Sequence, residues 1–150
     1  MIKIICGVSN KEKYLVDAIN EYTKRISKYT KLEIIEVNDL SLLEDKCLKE
    51  EAKLIEKHLD EKDYIITLDI EGKELSSVEF AEKIDEINIS NPNITFVIGG
   101  SLGLDDSIKE RRNFSLSFSK MTFPHQLITV ILLEQIYRSF KILNNETYHK

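Results

Sequence analysis

The chain has 150 residues, 42% of them apolar and 31% charged, which allows a real core and excludes a disordered chain. No apolar run approaches the roughly 18 residues that a transmembrane helix needs. The net charge of −5 excludes a broad phosphate-binding surface, but it is uneven: residues 1–108 carry 14 Lys/Arg against 23 Asp/Glu, and residues 109–150 carry 7 Lys/Arg against 3 Glu, so an acidic body ends in a basic third suited to a localised anionic partner.

Residues 2–8 (IKIICGV) form a short apolar, β-branched run. Without a basic leader or a small-residue cleavage site it reads as a first strand and not a signal peptide. Asn10 is placed to cap a helix in which Tyr14, Leu15, Ala18, Ile19, Tyr22 and Ile26 recur at helical spacing. Residues 32–37 (LEIIEV) predict a second strand, and residues 38–41 a turn. Residues 42–59 predict a long charged helix whose stripe of Leu43, Cys47, Leu54 and Ile55 is thin, so the helix is expected to be exposed.

Residues 64–70 (YIITLDI) predict a central strand, closed by a turn at Glu71-Gly72-Lys73. Ser76 and Glu79 have the spacing of a capping box, opening a helix to about Asn88 with Val78, Ala81, Ile84, Asp85 and Ile87 on its inner side. Asn91-Pro92-Asn93 stops it. Residues 94–98 (ITFVI) are a further apolar strand that runs directly into Gly99-Gly100-Ser101-Leu102-Gly103. A short helix near 107–112, a strand near 114–117 and a loop at 119–123 lead to Pro124, which suits the first turn of a helix. That helix is apolar on a broad face through Leu127, Val130, Ile131, Leu133, Ile136, Tyr137 and Phe140. The polar tail 144–150 reads as frayed.

Strands alternating with helices predict an α/β fold, a parallel sheet covered on both faces. Ligands on such sheets bind beyond the carboxyl ends of the strands, so the loops after Ile98 and Leu116 are the first candidates for a site. The glycines after Ile98 let a backbone approach a ligand, though such a turn can also be purely structural. No Walker lysine follows them, and no GxGxxG follows the first strand. Cys6 and Cys47 fall in different predicted elements at no metal or redox spacing, as in a cytosolic protein with reduced thiols. His125, at a predicted helix N-terminus, is placed to be neutral and accept a proton, or equally to cap the helix or sit on the surface. Arg138 reads either as a surface arginine or as a cation beside a site.

Four segments together carry a resemblance: residues 96–103 (FVIGGSLG), residues 116–126 (LSFSKMTFPHQ), the EQIYRSFKI of residues 134–142, and the terminal Tyr148-His149-Lys150. With the TLDIEGK run at 67–73, they make the chain resemble the bacterial ribosomal RNA large subunit methyltransferase H family along its whole length. The resemblance implies one SPOUT methyltransferase domain with a C-terminal trefoil knot, acting as a homodimer in the cytoplasm. Periodicity alone gives an unknotted sheet. The implied reaction is methylation, from S-adenosylmethionine, of N3 of a pseudouridine in 23S rRNA within the assembled large subunit or ribosome. The implied cofactor positions are Leu68, Gly99, Phe118, Ser119, Lys120, Met121, Thr122 and Phe123. The implied substrate-side positions are His125, Arg138, Tyr148 and His149, and no metal is required. A branched side chain at Gly99 is expected to fill the ligand's space with the fold retained. The tail is expected to complete a site at the subunit boundary. Two other readings stand beside this one: a non-catalytic α/β module that docks on the ribosome, and a small nucleotide-binding enzyme with an unknotted flavodoxin-like sheet.

Overall fold

The computed structural model describes residues 1–7, 12–37, 44–100 and 103–150, with the side chains of residues 44–47 left out. Its elements run β1 (Ile2–Cys6), α1 (Lys13–Ile26), β2 (Leu32–Glu36), α2 (Glu44–Glu56), β3 (Asp63–Glu74), α3 (Ser77–Ser90), β4 (Asn93–Ile98), α4 (Asp106–Arg111), β5 (Phe114–Ser117) and α5 (His125–Leu143). The five strands form one sheet in the order β2-β1-β4-β3-β5, and every pairing is parallel. Parallel neighbours cannot be joined by a hairpin, so each connection carries a helix across a face of the sheet.

Alternation along the strands divides the core in two. Ile2, Ile4, Ile66, Ile94 and Phe96 point to one face and meet Ile26, Phe80, Ile84, Leu132, Leu133 and Ile136 from α1, α3 and α5. Ile5, Ile65 and Val97 point to the other and meet Ala52, Ile55 and Ile108 from α2 and α4. Each fully buried large aliphatic side chain contributes about 1.5–3 kcal/mol of transfer free energy, so these two clusters hold the layers together.

The capping box is present: Ser76 Oγ accepts from the Glu79 amide at 3.1 Å, and Glu79 Oε1 accepts from the Ser76 amide at 2.9 Å. Four expectations need correction. First, α2 is not an exposed helix, because Glu51, Ala52 and Ile55 are buried against the second cluster and the glycines at the strand ends. Second, residues 71–73 are no closing turn. β3 continues to Glu74 through an irregularity, with Leu116 registered against both Leu68 and Lys73. A Cβ at Gly72 would lie 2.7 Å from the Leu116 carbonyl carbon, so the close approach of β5 requires glycine there. Third, the inner face of α3 is set by Phe80, while Val78 is 42% exposed; on α1, Tyr14 is 70% exposed. Fourth, the tail is not frayed but folds back on α5, as described below. The Asn10 cap, the turn at 38–41, Leu43 and the Cys47 side chain lie outside the described residues.

Candidate functional site

Three strands contribute to a single cleft of about 210 Å³. β3 supplies Leu68, Asp69 and Ile70, β4 ends at Ile98 with Gly99 and Gly100 following, and β5 supplies Leu116 and Ser117. This is the carboxyl edge of the sheet, where open α/β folds hold their ligands.

The glycine segment is built by its own backbone. Gly103, at φ 81°, donates its amide to the Gly100 carbonyl at 3.0 Å and forms an isolated bridge with Gly100. A Cβ on Gly99 would strike the Gly103 carbonyl oxygen, with its carbon at 2.7 Å and Leu104 Cγ at 3.0 Å. Gly99 is therefore required by the folding of its own loop, and the clash expected of a branched residue there is with backbone rather than with a ligand. From the other side, buried Glu51 accepts from the Gly100 amide at 3.4 Å, and its Oε1 would lie 2.7 Å from a Cβ on Gly7, so the carboxylate of α2 sits against both strand ends.

The loop after β5 is shaped by hydroxyls. Ser117 Oγ donates to the Ser119 carbonyl at 3.0 Å, and Ser119 Oγ accepts from the Met121 amide at 3.0 Å. Pro124 then caps α5 with φ −57°, and the Ile128 amide donates to its carbonyl at 3.0 Å. His125 opens the helix beside the cleft.

Of the eight cofactor positions implied by the sequence, Leu68, Gly99, Phe118, Ser119, Met121, Thr122 and Phe123 line this cleft, as does His125. Lys120 is exposed and does not line it. The walls are mostly apolar, with backbone groups from two loops, a donor set suited to an adenine ring. Asp69, Ile70, Leu104, Lys109 and Ile128 also line the cleft without having been singled out from sequence. Their one legible signal was the charged residue Asp69 at the end of an apolar strand run.

Arg138, Tyr148 and His149 gather elsewhere, thirteen or more residues along the chain from His125, so that Arg138 stands about 20 Å from His125 along the α5 axis. Glu134 is their hub. Its Oε1 accepts from Arg138 Nε at 3.0 Å and Nη2 at 2.6 Å, and from the Tyr148 hydroxyl at 3.1 Å. Arg138 Nη1 lies 3.0 Å from His149 Nδ1. A guanidinium has only donors, so in this contact Nδ1 is the acceptor. The Arg138 guanidinium lies 4.8 Å over the Tyr148 ring, which meets Tyr137 edge-on at 4.9 Å. Burial, then the Glu134 carboxylate, push the Tyr148 phenol up to about 12. The same carboxylate raises the Arg138 guanidinium further. The structure thus brings the four substrate-side candidates into two groups, with His125 alone at the cleft.

Among the described residues, no three His, Cys, Asp or Glu side chains gather as metal ligands, and no helix is long and apolar enough to cross a membrane.

The family model described as "Predicted SPOUT methyltransferase" matches residues 1–149. A Methanococcus maripaludis protein named "Putative ribosomal RNA large subunit methyltransferase H" is 57% identical, with 99% of each chain covered. A Clostridium botulinum (strain Okra) protein named "Ribosomal RNA large subunit methyltransferase H" is 52% identical over the same shares. Among solved structures, a probable methylase family protein from Haemophilus influenzae superposes with a TM-score of 0.57 at 13% identity, covering 99% of this chain and 70% of that one. The tRNA (m1G37) methyltransferase from Aquifex aeolicus gives 0.55 at 11% identity, covering 92% and 69%. These two structures speak to the fold alone.

Proposed function

The chain belongs to the SPOUT methyltransferase family, in the branch of the ribosomal RNA large subunit methyltransferase H proteins, and from that premise we propose that it uses S-adenosylmethionine to methylate N3 of a pseudouridine in 23S rRNA of the assembled large subunit or ribosome. The carrying observation is the convergence of Gly99, Gly100 and Gly103 with the loop at 118–123 on one cleft at the sheet's carboxyl edge.

The donor set fits the cofactor. Leu68, Ile98, Leu116 and Phe118 offer an apolar slot, and the backbone of Gly99, Gly100 and Ser119 offers hydrogen bonds to a purine edge. Bound S-adenosylmethionine supplies an electrophilic methyl group on a sulfonium. The chain's own residues must then deal with the substrate, whose imide N3–H has to lose its proton before nitrogen attacks. His125, at the cleft rim, takes that proton. A cation beside the imide anion lowers the barrier further, and Arg138 is the candidate for it.

One protomer holds Arg138, Tyr148 and His149 far from its own cleft, so the proposal includes a homodimer in which this cluster completes a site at the subunit boundary, together with the C-terminal knot. Symmetric pairing is the usual arrangement, and α5 keeps Tyr137, Phe140 and Ile142 only half-buried in one protomer. The acidic body supports assembled ribosomes as substrate. With few phosphates neutralised, affinity for RNA has to come from a shaped surface with many contacts.

The test is thermal denaturation of the full chain with S-adenosylmethionine or S-adenosylhomocysteine, beside ATP and FMN. Stabilisation by the first pair alone is expected. Stabilisation by ATP or FMN instead would refute the cofactor assignment, and stabilisation by none of them would leave the ribosome-docking module as the better reading.

A further inference from the structure

The cleft wall carries two charged side chains, Asp69 and Lys109, besides His125 at its rim. Among the described residues that line it, Asp69 is the one carboxylate and Lys109 the one ammonium. The remaining walls are apolar side chains, hydroxyls, glycine backbone and His125.

Asp69 is held in place. Its Oδ1 accepts from the Glu71 amide at 3.2 Å, and its Oδ2 lies 3.8 Å from Arg112 Nη1. At 26% side-chain exposure it is neither free in solvent nor sealed in the core, and two such contacts leave a carboxylate with acceptor capacity toward the cleft. Lys109 comes from α4, and the cation paired with Asp69 is Arg112 rather than Lys109. An opposite pair presented separately at one mostly apolar cleft matches a ligand that carries both charges close together at one end. A purely structural pair would instead satisfy itself.

We infer that Asp69 and Lys109 receive the two ends of an α-amino-acid zwitterion, Asp69 facing the ammonium and Lys109 the carboxylate, and so fix the amino-acid arm of the cofactor while the apolar slot holds its base. This rests on the cofactor reading given above. It makes Asp69 and Lys109 binding and positioning residues, which set where the sulfur lies relative to His125.

Calorimetric titration of the full chain with four probes tests it: S-adenosylmethionine, S-adenosylhomocysteine, decarboxylated S-adenosylmethionine, and methylthioadenosine, which lacks the amino-acid arm. Replacing one partner of a charged hydrogen bond weakens binding by roughly tenfold or more. Asp69→Asn should show that loss for the three probes with an amine and none for methylthioadenosine. Lys109→Met should show it for S-adenosylmethionine and S-adenosylhomocysteine, and not for the decarboxylated probe or methylthioadenosine. Methylthioadenosine also reports whether each variant is folded. Equal losses on all four probes would make the residues structural and overturn the inference. A loss in Asp69→Asn confined to the two sulfonium probes would overturn the assignment of the ammonium. Failure of the unaltered protein to bind either S-adenosylmethionine or methylthioadenosine would instead overturn the cofactor reading beneath it.

Discussion

Replacing Glu134 by alanine removes the acceptor that gathers Arg138 and Tyr148 on one oxygen. The Arg138–Glu134 pair is an i,i+4 contact with 25% and 19% side-chain exposure. Such pairs contribute about 0.3–0.5 kcal/mol. The Tyr148 hydroxyl donates to a charged oxygen, a bond worth about 1.5 kcal/mol at the low end of its range, which suits a half-buried site. Together Glu134→Ala should cost about 1–2 kcal/mol and lower Tm by roughly 2–8 °C in a chain of this size. The second readout is the phenol itself. Tyr148 titrates near 12 because of burial and the Glu134 charge, so in Glu134→Ala its absorbance titration should move down toward the ordinary tyrosine value near 10, identified by difference from Tyr148→Phe. A phenol whose folded value is raised contributes stability that is fully present below about pH 10 and is lost as pH rises through about 12. The Tm gap between the two proteins should therefore be constant from neutral pH to about 10 and shrink above it. Affinity for S-adenosylmethionine should be unchanged, since Glu134 does not line the cleft and stands about 13 Å from His125 along the helix. An unmoved phenol titration with an unmoved Tm would refute the claim that Glu134 docks the tail.

Further outcomes follow from the same geometry. Gly99→Ala forces its Cβ against the backbone of Gly103, so overpacking should cost about 1–3 kcal/mol of stability, and both Tm and cofactor affinity should fall; lost affinity at unchanged Tm would place the clash with the ligand instead. Deleting residues 148–150 should abolish methylation and spare cofactor affinity. Mixed dimers of that deletion with Gly99→Ala should recover activity if the tail serves the neighbouring cleft; no recovery, with subunit exchange verified, would assign it to its own. Burial pushes the Cys6 thiol up to about 11, so in a Cys47→Ser background it should resist thiol reagents at pH 8 until the protein unfolds, and prompt labelling would contradict its burial.

Features confined to a few neighbouring residues were legible in the sequence. The Ser76/Glu79 box, the apolar strands and the glycine segment after β4 each carry their signal locally. Features that depend on distant partners were not. Gly72 reads as a turn until β5 is known to press against it, and Glu51 reads as a solvated charge until the ends of β1 and β4 close over it. The tail has no apolar run of its own, yet it docks because Glu134 and Arg138 stand ready one helix away. The site divides in the same way. The two loops at the strand ends were found from position in the fold, and the resemblance supplied the tail. Asp69 lay inside a quoted motif without a role, because which wall a side chain faces is set by sheet register rather than by spacing.

The central claim is methyl transfer to one nucleotide of the large-subunit RNA. It is tested most directly by mass spectrometry of 23S rRNA from cells lacking this chain, beside the same cells with the chain restored. One methyl group, on N3 of one pseudouridine, is expected to be missing in the first and present in the second. An identical set of methylated nucleotides in both would contradict it.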